Sequence, residues 1–148
     1  MELPEAARER LCETWPVAIL ATLSASGSPH CVPVVFARRG AFFFSPLDGK
    51  PKRGRRLARL RNLEADPRAA LLLERYDADW SRLWWIRIDG VGSELRSEGD
   101  AEFEAAALAL RRKYPQYGET PLFGAAPTLL RIAPERITSW CAGEGALA

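Results

Sequence analysis

Seven basic residues and no acidic one lie between Lys50 and Arg61, in a chain whose formal net charge is only +2. Two chemistries suit such a run: a built site for an anion, or a solvated basic face. Pro51 fits a first helical position, and Asp48 and Gly49 can supply the turn that enters the helix. Leu57, Leu60 and Leu63 recur at helical spacing, so one face of that helix packs inward and the arginines occupy the rest. A helix N-terminus carries partial positive charge and unpaired N–H groups. Lys50, Lys52, Arg53 and Arg55 placed there make it suited to a phosphate.

The other reactive side chains point less sharply. His30 is the single histidine; it is either an acid or base beside a ligand or an ordinary strand residue next to a turn. Without a second histidine or a GxSxG turn, nucleophilic hydrolysis is not indicated. Asp77 and Asp79 are spaced like ligands but lack a third carboxylate or a histidine, so a solvated turn is expected and no metal site is assigned. Cys12, Cys31 and Cys141 are widely spaced and form neither a zinc pattern nor a disulfide framework. Gly90-Val91-Gly92 lacks the third glycine and helix of a dinucleotide fingerprint.

These residues need elements to hold them. Residues 4–15 read as a helix closed by Pro16, with Ala7, Leu11 and Trp15 at helical spacing. Residues 17–23, 29–37 and 41–45 read as strands separated by Ser/Gly and Arg-Arg-Gly turns, and Asp66-Pro67 precedes another at 69–75. Residues 82–95 form a long strand in which Gly90 and Gly92 mark a bulge or a barrel corner. Residues 100–114 are helical behind an Asp100 cap, and residues 128–132 and 136–140 close the chain as strand on either side of Pro134. The fold class expected is mainly β with α: one domain, residues 1–148, built as a small barrel of six antiparallel strands with flanking helices.

Period-two alternation along residues 82–95 sends Trp84, Ile86 and Ile88 to the core and Leu83, Trp85 and Arg87 to the opposite face. An arginine beside a tryptophan there suits either a partner interface or a planar ligand. The modest net charge and the apolar run Phe42-Phe43-Phe44 argue against a nucleic-acid-binding barrel. No apolar stretch is long enough for a membrane helix, and the acidic start Met1-Glu2-Leu3-Pro4-Glu5 is unlike a signal peptide, so a cytoplasmic protein is expected.

The order of motifs is itself informative. The turn Ser26-Gly27-Ser28-Pro29, the strand reaching Pro33-Val34, the aromatic strand, the basic helix ending Arg61-Asn62-Leu63 before Asp66-Pro67-Arg68, and the pair Asp89-Gly90 resemble the pyridoxamine 5'-phosphate oxidase-like split-barrel family over nearly the whole chain. Lys50-Pro51-Lys52-Arg53, the stretch from Asp77 to Trp85 and Lys113-Tyr114-Pro115-Gln116-Tyr117 look most like the branch that depends on coenzyme F420, a deazaflavin.

That resemblance implies a homodimer holding F420 or FMN in a groove between subunits. It places the cofactor phosphate on Ser45, Lys50, Lys52, Arg55 and Arg59, and the ring along the backbone of Val32, Pro33 and Val34. Trp85 stands where oxidases of the family set a glutamine against the ring. The implied activity is hydride transfer between F420 and a small conjugated organic substrate, with the proton from solvent or Tyr117 and no catalytic side chain assigned. An FMN-dependent oxidoreductase, or a protein that binds the cofactor without turnover, is the alternative. Two departures from the true oxidases stand out. Val32 occupies the place of their phosphate-binding arginine, and residues 136–142 contain no Arg-x-His.

Overall fold

The computed structural model describes residues 1–47, 58–96, 100–124 and 126–148. Helix α1 (Glu5–Thr14) opens the chain, and Pro16 follows its last turn as expected. Strands β1 (Ala18–Leu23), β2 (Pro29–Val34), β3 (Ala37–Arg39) and β4 (Phe42–Pro46) come next. Helix α2 (Ala58–Ala65) leads into β5 (Arg68–Arg75) and the long β6 (Trp84–Leu95). Helix α3 (Ala101–Lys113) then precedes β7 (Leu129–Cys141). Asp100 caps α3, its Oδ1 accepting from the Glu102 N–H at 2.8 Å, as the sequence predicts.

All the strands belong to one antiparallel sheet of seven, in the order β2-β1-β5-β6-β7-β4-β3. The first and last strands of that order are consecutive in the chain, and only Val35 and Phe36 link them. Two edges joined by so short a segment force the sheet to curl until they meet, which makes a barrel with one seam.

Among the described residues the sheet has seven strands against the six expected, and the breaks also fall elsewhere than the segments read from the sequence. The valine-rich run 29–37 has strand propensity throughout, but closing the barrel bends it at Val35 and Phe36 and divides it into β2 and β3. Residues 129–141, by contrast, run as one strand straight past Pro134. The register shifts there: Asp89 faces Arg136 and Gly90 faces Pro134, so Glu135 is left as the extra residue of a bulge. Proline is tolerated because a bulge needs no ladder N–H from it. Gly90 is required for space, since a Cβ on it would lie 2.2 Å from the Ala133 carbonyl oxygen.

The barrel interior is filled by alternate residues of the strands, among them Leu20, Leu71, Leu73, Ile86, Ile88 and Leu130. Each is 1% exposed or less. The α1 end of the barrel brings Leu11 and Cys12 into this core, and Trp15 packs edge-on against Trp84 with ring centroids 4.6 Å apart. At the other end α2 inserts Leu60 and Leu63, the two described members of the predicted leucine stripe. Leu63 occupies the space that a side chain at Gly92 would take, with its Cδ2 2.7 Å from where that Cβ would stand. Helix α3 covers β3 with a second cluster built on Phe103, Ala106, Ala107 and Leu110.

Candidate functional site

Among the described residues strand β2 pairs only with β1, and no described strand lies along its other side. Pro29 and Pro33 lie on this strand, where a missing N–H discourages a further strand from adding while the carbonyls remain available. Val32 faces Leu20 and packs against the core, Pro33 is exposed on the outer face, and Val34 is buried opposite Ala18. The three residues expected to carry the cofactor ring are thus consecutive on an open edge.

One end of β2 is beside α2. His30 faces Thr22 on β1, and the buried Thr22 hydroxyl accepts from Asn62 Nδ2 of α2 at 3.0 Å. His30 is half-buried, and its Nδ1 is enclosed without a hydrogen-bond partner among the described residues. Arg59, the expected phosphate ligand nearest this cluster in sequence, is half-buried on α2. The other basic ligands expected, Lys50, Lys52 and Arg55, and the expected helix start at Pro51, lie outside the described residues.

The opposite end of β2 is the seam, which is tied by side chains. Ser45 Oγ donates to the Val35 carbonyl at 2.7 Å, so the expected phosphate ligand Ser45 is buried here with its proton engaged. Tyr114 Oη accepts from the Phe36 N–H at 3.1 Å and lies 2.9 Å from both the Pro16 and Phe36 carbonyls. Lys113 Nζ donates to the Phe36 carbonyl at 2.8 Å and sits 3.6 Å from the centre of the Phe36 ring. Tyr114 is therefore a staple between α3 and the barrel, and Tyr117 stands edge-on to it. Burial holds the Lys113 ammonium down to a pKa of about 8 and pushes the neighbouring Cys12 thiol up to about 11. The sequence gives no warning of the Lys113 contact, because a lysine in a last helical turn reads as an ordinary favourable charge.

Trp85 and Arg87 project from the outer face of β6, as alternation predicts, and both are half-buried. Trp85 lies opposite Glu74 on β5 and Trp140 on β7. Arg87 Nε reaches Asp89 Oδ2 at 3.1 Å, and Arg136 approaches the same oxygen at 3.5 Å. Strands β1 and β5 separate β6 from β2. At ordinary strand spacing that puts Trp85 roughly 14 Å from the β2 edge, so one chain does not bring Trp85 together with Val32, Pro33 and Val34. Between these strands the outer face carries a cavity of about 350 Å³, floored by Ala21 and Ala70 and rimmed by Leu23, Pro29, Arg68 and Glu135.

The carboxylates considered as ligands are used by their own loop. Asp77 accepts from the Asp79 N–H at 2.9 Å and pairs with Arg75 and Arg82, while Asp79 accepts from the N–H and hydroxyl of Ser81 at 3.0 and 2.7 Å. Such contacts describe a tight turn rather than a cation shell.

Residues 3–141 match the family model described as pyridoxamine 5'-phosphate oxidase. The chain belongs to that family. No curated protein matches its sequence. Among solved structures, the heme storage protein HutZ from Vibrio cholerae is 17% identical with a TM-score of 0.71, covering 95% of this chain and 95% of its own. An FAD-binding protein from Mesorhizobium loti is 20% identical with a TM-score of 0.68, covering 94% of this chain and 93% of its own. An F420 reductase is 19% identical with a TM-score of 0.64, covering 91% of this chain and 98% of its own. At these identities the likeness establishes a shared fold, on which the named ligands differ. Among the described residues no helix is long and apolar enough to cross a membrane.

Proposed function

We propose that this protein is a cytoplasmic F420-dependent oxidoreductase, working as a homodimer on a small conjugated organic substrate. The observation that carries the reading is the open edge of β2. It offers backbone to the edge of a flavin-like ring on the side that no described strand occupies, and its α2 end lies next to the basic segment in sequence. Val32, Pro33 and Val34 would hold the ring by their backbone. Lys50, Lys52, Arg55 and Arg59 would hold the phosphate; Ser45, which donates to the Val35 carbonyl at the opposite end of β2, would not share it with Arg59. F420, when bound, supplies hydride transfer, and the protein supplies orientation and electrostatics. The proton comes from solvent or from Tyr117, at the seam end of β2.

The separation of Trp85 from β2 supports an intersubunit site. If Trp85 lines the ring, it does so from the other copy, and the outer face bearing Trp85, Arg87 and Trp140 becomes the dimer interface. FMN is the second reading, because a planar ring edge and a phosphate are features it shares with F420.

Titration of the apo protein with F420 and with FMN, followed by fluorescence, tests both readings, and light scattering tests the assembly. Replacing Lys52 or Arg55 with alanine removes a charge-assisted hydrogen bond of about 1.5 to 3 kcal/mol, so affinity should drop roughly tenfold to a hundredfold with fold and dimer intact. Unchanged affinity in both variants would return the basic run to a solvated face. A monomer that binds at full affinity would place the whole site within one chain.

A further inference from the structure

The seam between β2 and β3 is closed by side chains where strand pairing stops. Phe36 is fully buried, and the polar groups of its peptide need partners there. One assignment uses every proton once. The Phe36 N–H donates to Tyr114 Oη (3.1 Å), that hydroxyl donates to the Pro16 carbonyl (2.9 Å), and Lys113 Nζ donates to the Phe36 carbonyl (2.8 Å). Ser45 Oγ meets the carbonyl one residue earlier. The last turn of α3 thus grips the chain two residues beyond Val34, and it does so through adjacent side chains, Lys113 and Tyr114.

The Val35–Phe36 peptide unit is held at its carbonyl by Ser45 and at its N–H by Tyr114, and Lys113 holds the carbonyl of the next unit, so the backbone on both sides of the Phe36 Cα is fixed and the strand entering it inherits that restraint. With the reading of β2 as the cofactor strip, we propose that Lys113 and Tyr114 are positioning residues: by gripping the two peptide units that flank Phe36 they set the course of the Val32 to Val34 backbone on which the ring lies. A staple serving stability alone would leave β2 in place until the whole domain opened. A positioning role requires β2 to loosen first.

Lys113→Met and Tyr114→Phe separate these cases, with Ile86→Val as a control that trims the core away from the seam. Amide hydrogen exchange on the apo protein should quicken at Val32, Val34 and Phe36 in both seam variants, while the control keeps wild-type rates there. Titration with F420 and FMN should show binding weakened roughly threefold to tenfold, within the range seen for residues that act on a site without touching its ligand. The visible circular dichroism of the bound ring should change with it, and Lys113→Arg should restore part of both. If Lys113→Met does not fold, Tyr114→Phe, which loses only a hydroxyl, carries the same readouts. Unchanged exchange at the three amides overturns the grip. Faster exchange with wild-type affinity and spectrum overturns the positioning role. A wild-type protein that binds neither cofactor removes the reading of β2 and the positioning role with it, whereas faster exchange in the variants would leave the grip standing.

Discussion

Gly90 and Gly92 sit two residues apart on β6, and replacing each with alanine should have very different costs. A Cβ at position 90 would lie 2.2 Å from the Ala133 carbonyl oxygen, 3.0 Å from the Ala133 carbonyl carbon and 3.1 Å from the Pro134 Cα. All three are backbone atoms of β7, in the bulge where Gly90 faces Pro134. Relief to an ordinary contact of about 3.5 Å needs the two strands to part by about 1 Å, and neighbouring ladder hydrogen bonds resist that. The cost should reach or exceed the upper part of the roughly 1 to 3 kcal/mol seen for overpacking. At position 92 the nearest obstacle is Leu63 Cδ2 at 2.7 Å, the far end of a side chain. A rotamer adjustment of about 0.5 to 1.5 kcal/mol accommodates it. That cost is partly offset by about 0.5 to 1 kcal/mol gained when alanine replaces glycine inside an extended element. Neither glycine has a positive φ, so space and not backbone conformation decides both cases. Urea unfolding of the two variants should place Gly90→Ala at least 2 kcal/mol below Gly92→Ala by this estimate. At roughly 2 to 4 °C per kcal/mol, the melting temperature of Gly90→Ala should fall by about 6 to 12 °C. A Gly90→Ala protein within about 1 kcal/mol of wild type, or a costlier Gly92→Ala, would show that the bulge is not the tight crossing described.

Two further outcomes are expected. Family membership notwithstanding, FMN-loaded protein should not convert pyridoxamine phosphate to pyridoxal phosphate at an enzymatic rate, because Val32 is packed against the core where the true oxidases carry an arginine, and residues 136–142 lack their Arg-x-His; steady turnover in a coupled absorbance assay would refute this. In alkali, half-buried Lys113 and buried Cys12 should act with opposite sign. Lys113, lowered to about 8 from an ordinary 10.5, adds stability that is fully present above 10.5 and is lost as pH falls through 8. Cys12, raised to about 11 from 9.0, contributes stability that is present below 9.0 and is lost as pH rises through 11. Denaturation midpoints taken from pH 7 to 10.5 should therefore decline more steeply for Lys113→Met than for wild type, and parallel curves would contradict the burial of Lys113.

What was legible in the sequence follows from the range of the forces involved. Helix ends at Pro16 and Asp100, the inward Leu60 and Leu63 of α2 and the inward face of β6 are all encoded within a few residues, and each came out as expected. The break at Val35 and Phe36 did not, because local propensity there favours strand and only closure of the sheet bends it. Its partners are equally remote: Tyr114 and Lys113 are 78 and 77 residues away from Phe36. A tyrosine and a lysine at a helix end have many uses, and nothing in their spacing says that they meet a buried peptide across the molecule. Proline at 134 misleads in the other direction, since a bulge absorbs its missing donor and the strand continues.

The outer face shows the same division with a functional consequence. Alternation is enough to put Trp85 and Arg87 on one side of β6, but it does not specify which strands flank β6. That order, with β1 and β5 between β6 and β2, carries Trp85 away from the edge that the resemblance assigns to the ring. The residues of the expected site fall on two different parts of the sheet, Val32 to Val34 on the edge strand β2 and Trp85 on the outer face of β6. Only the sheet order shows that they are too far apart to touch one ring within a single chain. A second copy can supply the missing half if its outer face packs across the β2 edge, and Trp140, directly beside Trp85 and 37% exposed, would be buried by that packing. If Trp85 touches the ring at all, the proposed site therefore needs a second copy, and light scattering in dilute solution checks it: a stable monomer that binds the cofactor at full affinity would remove Trp85 from the site.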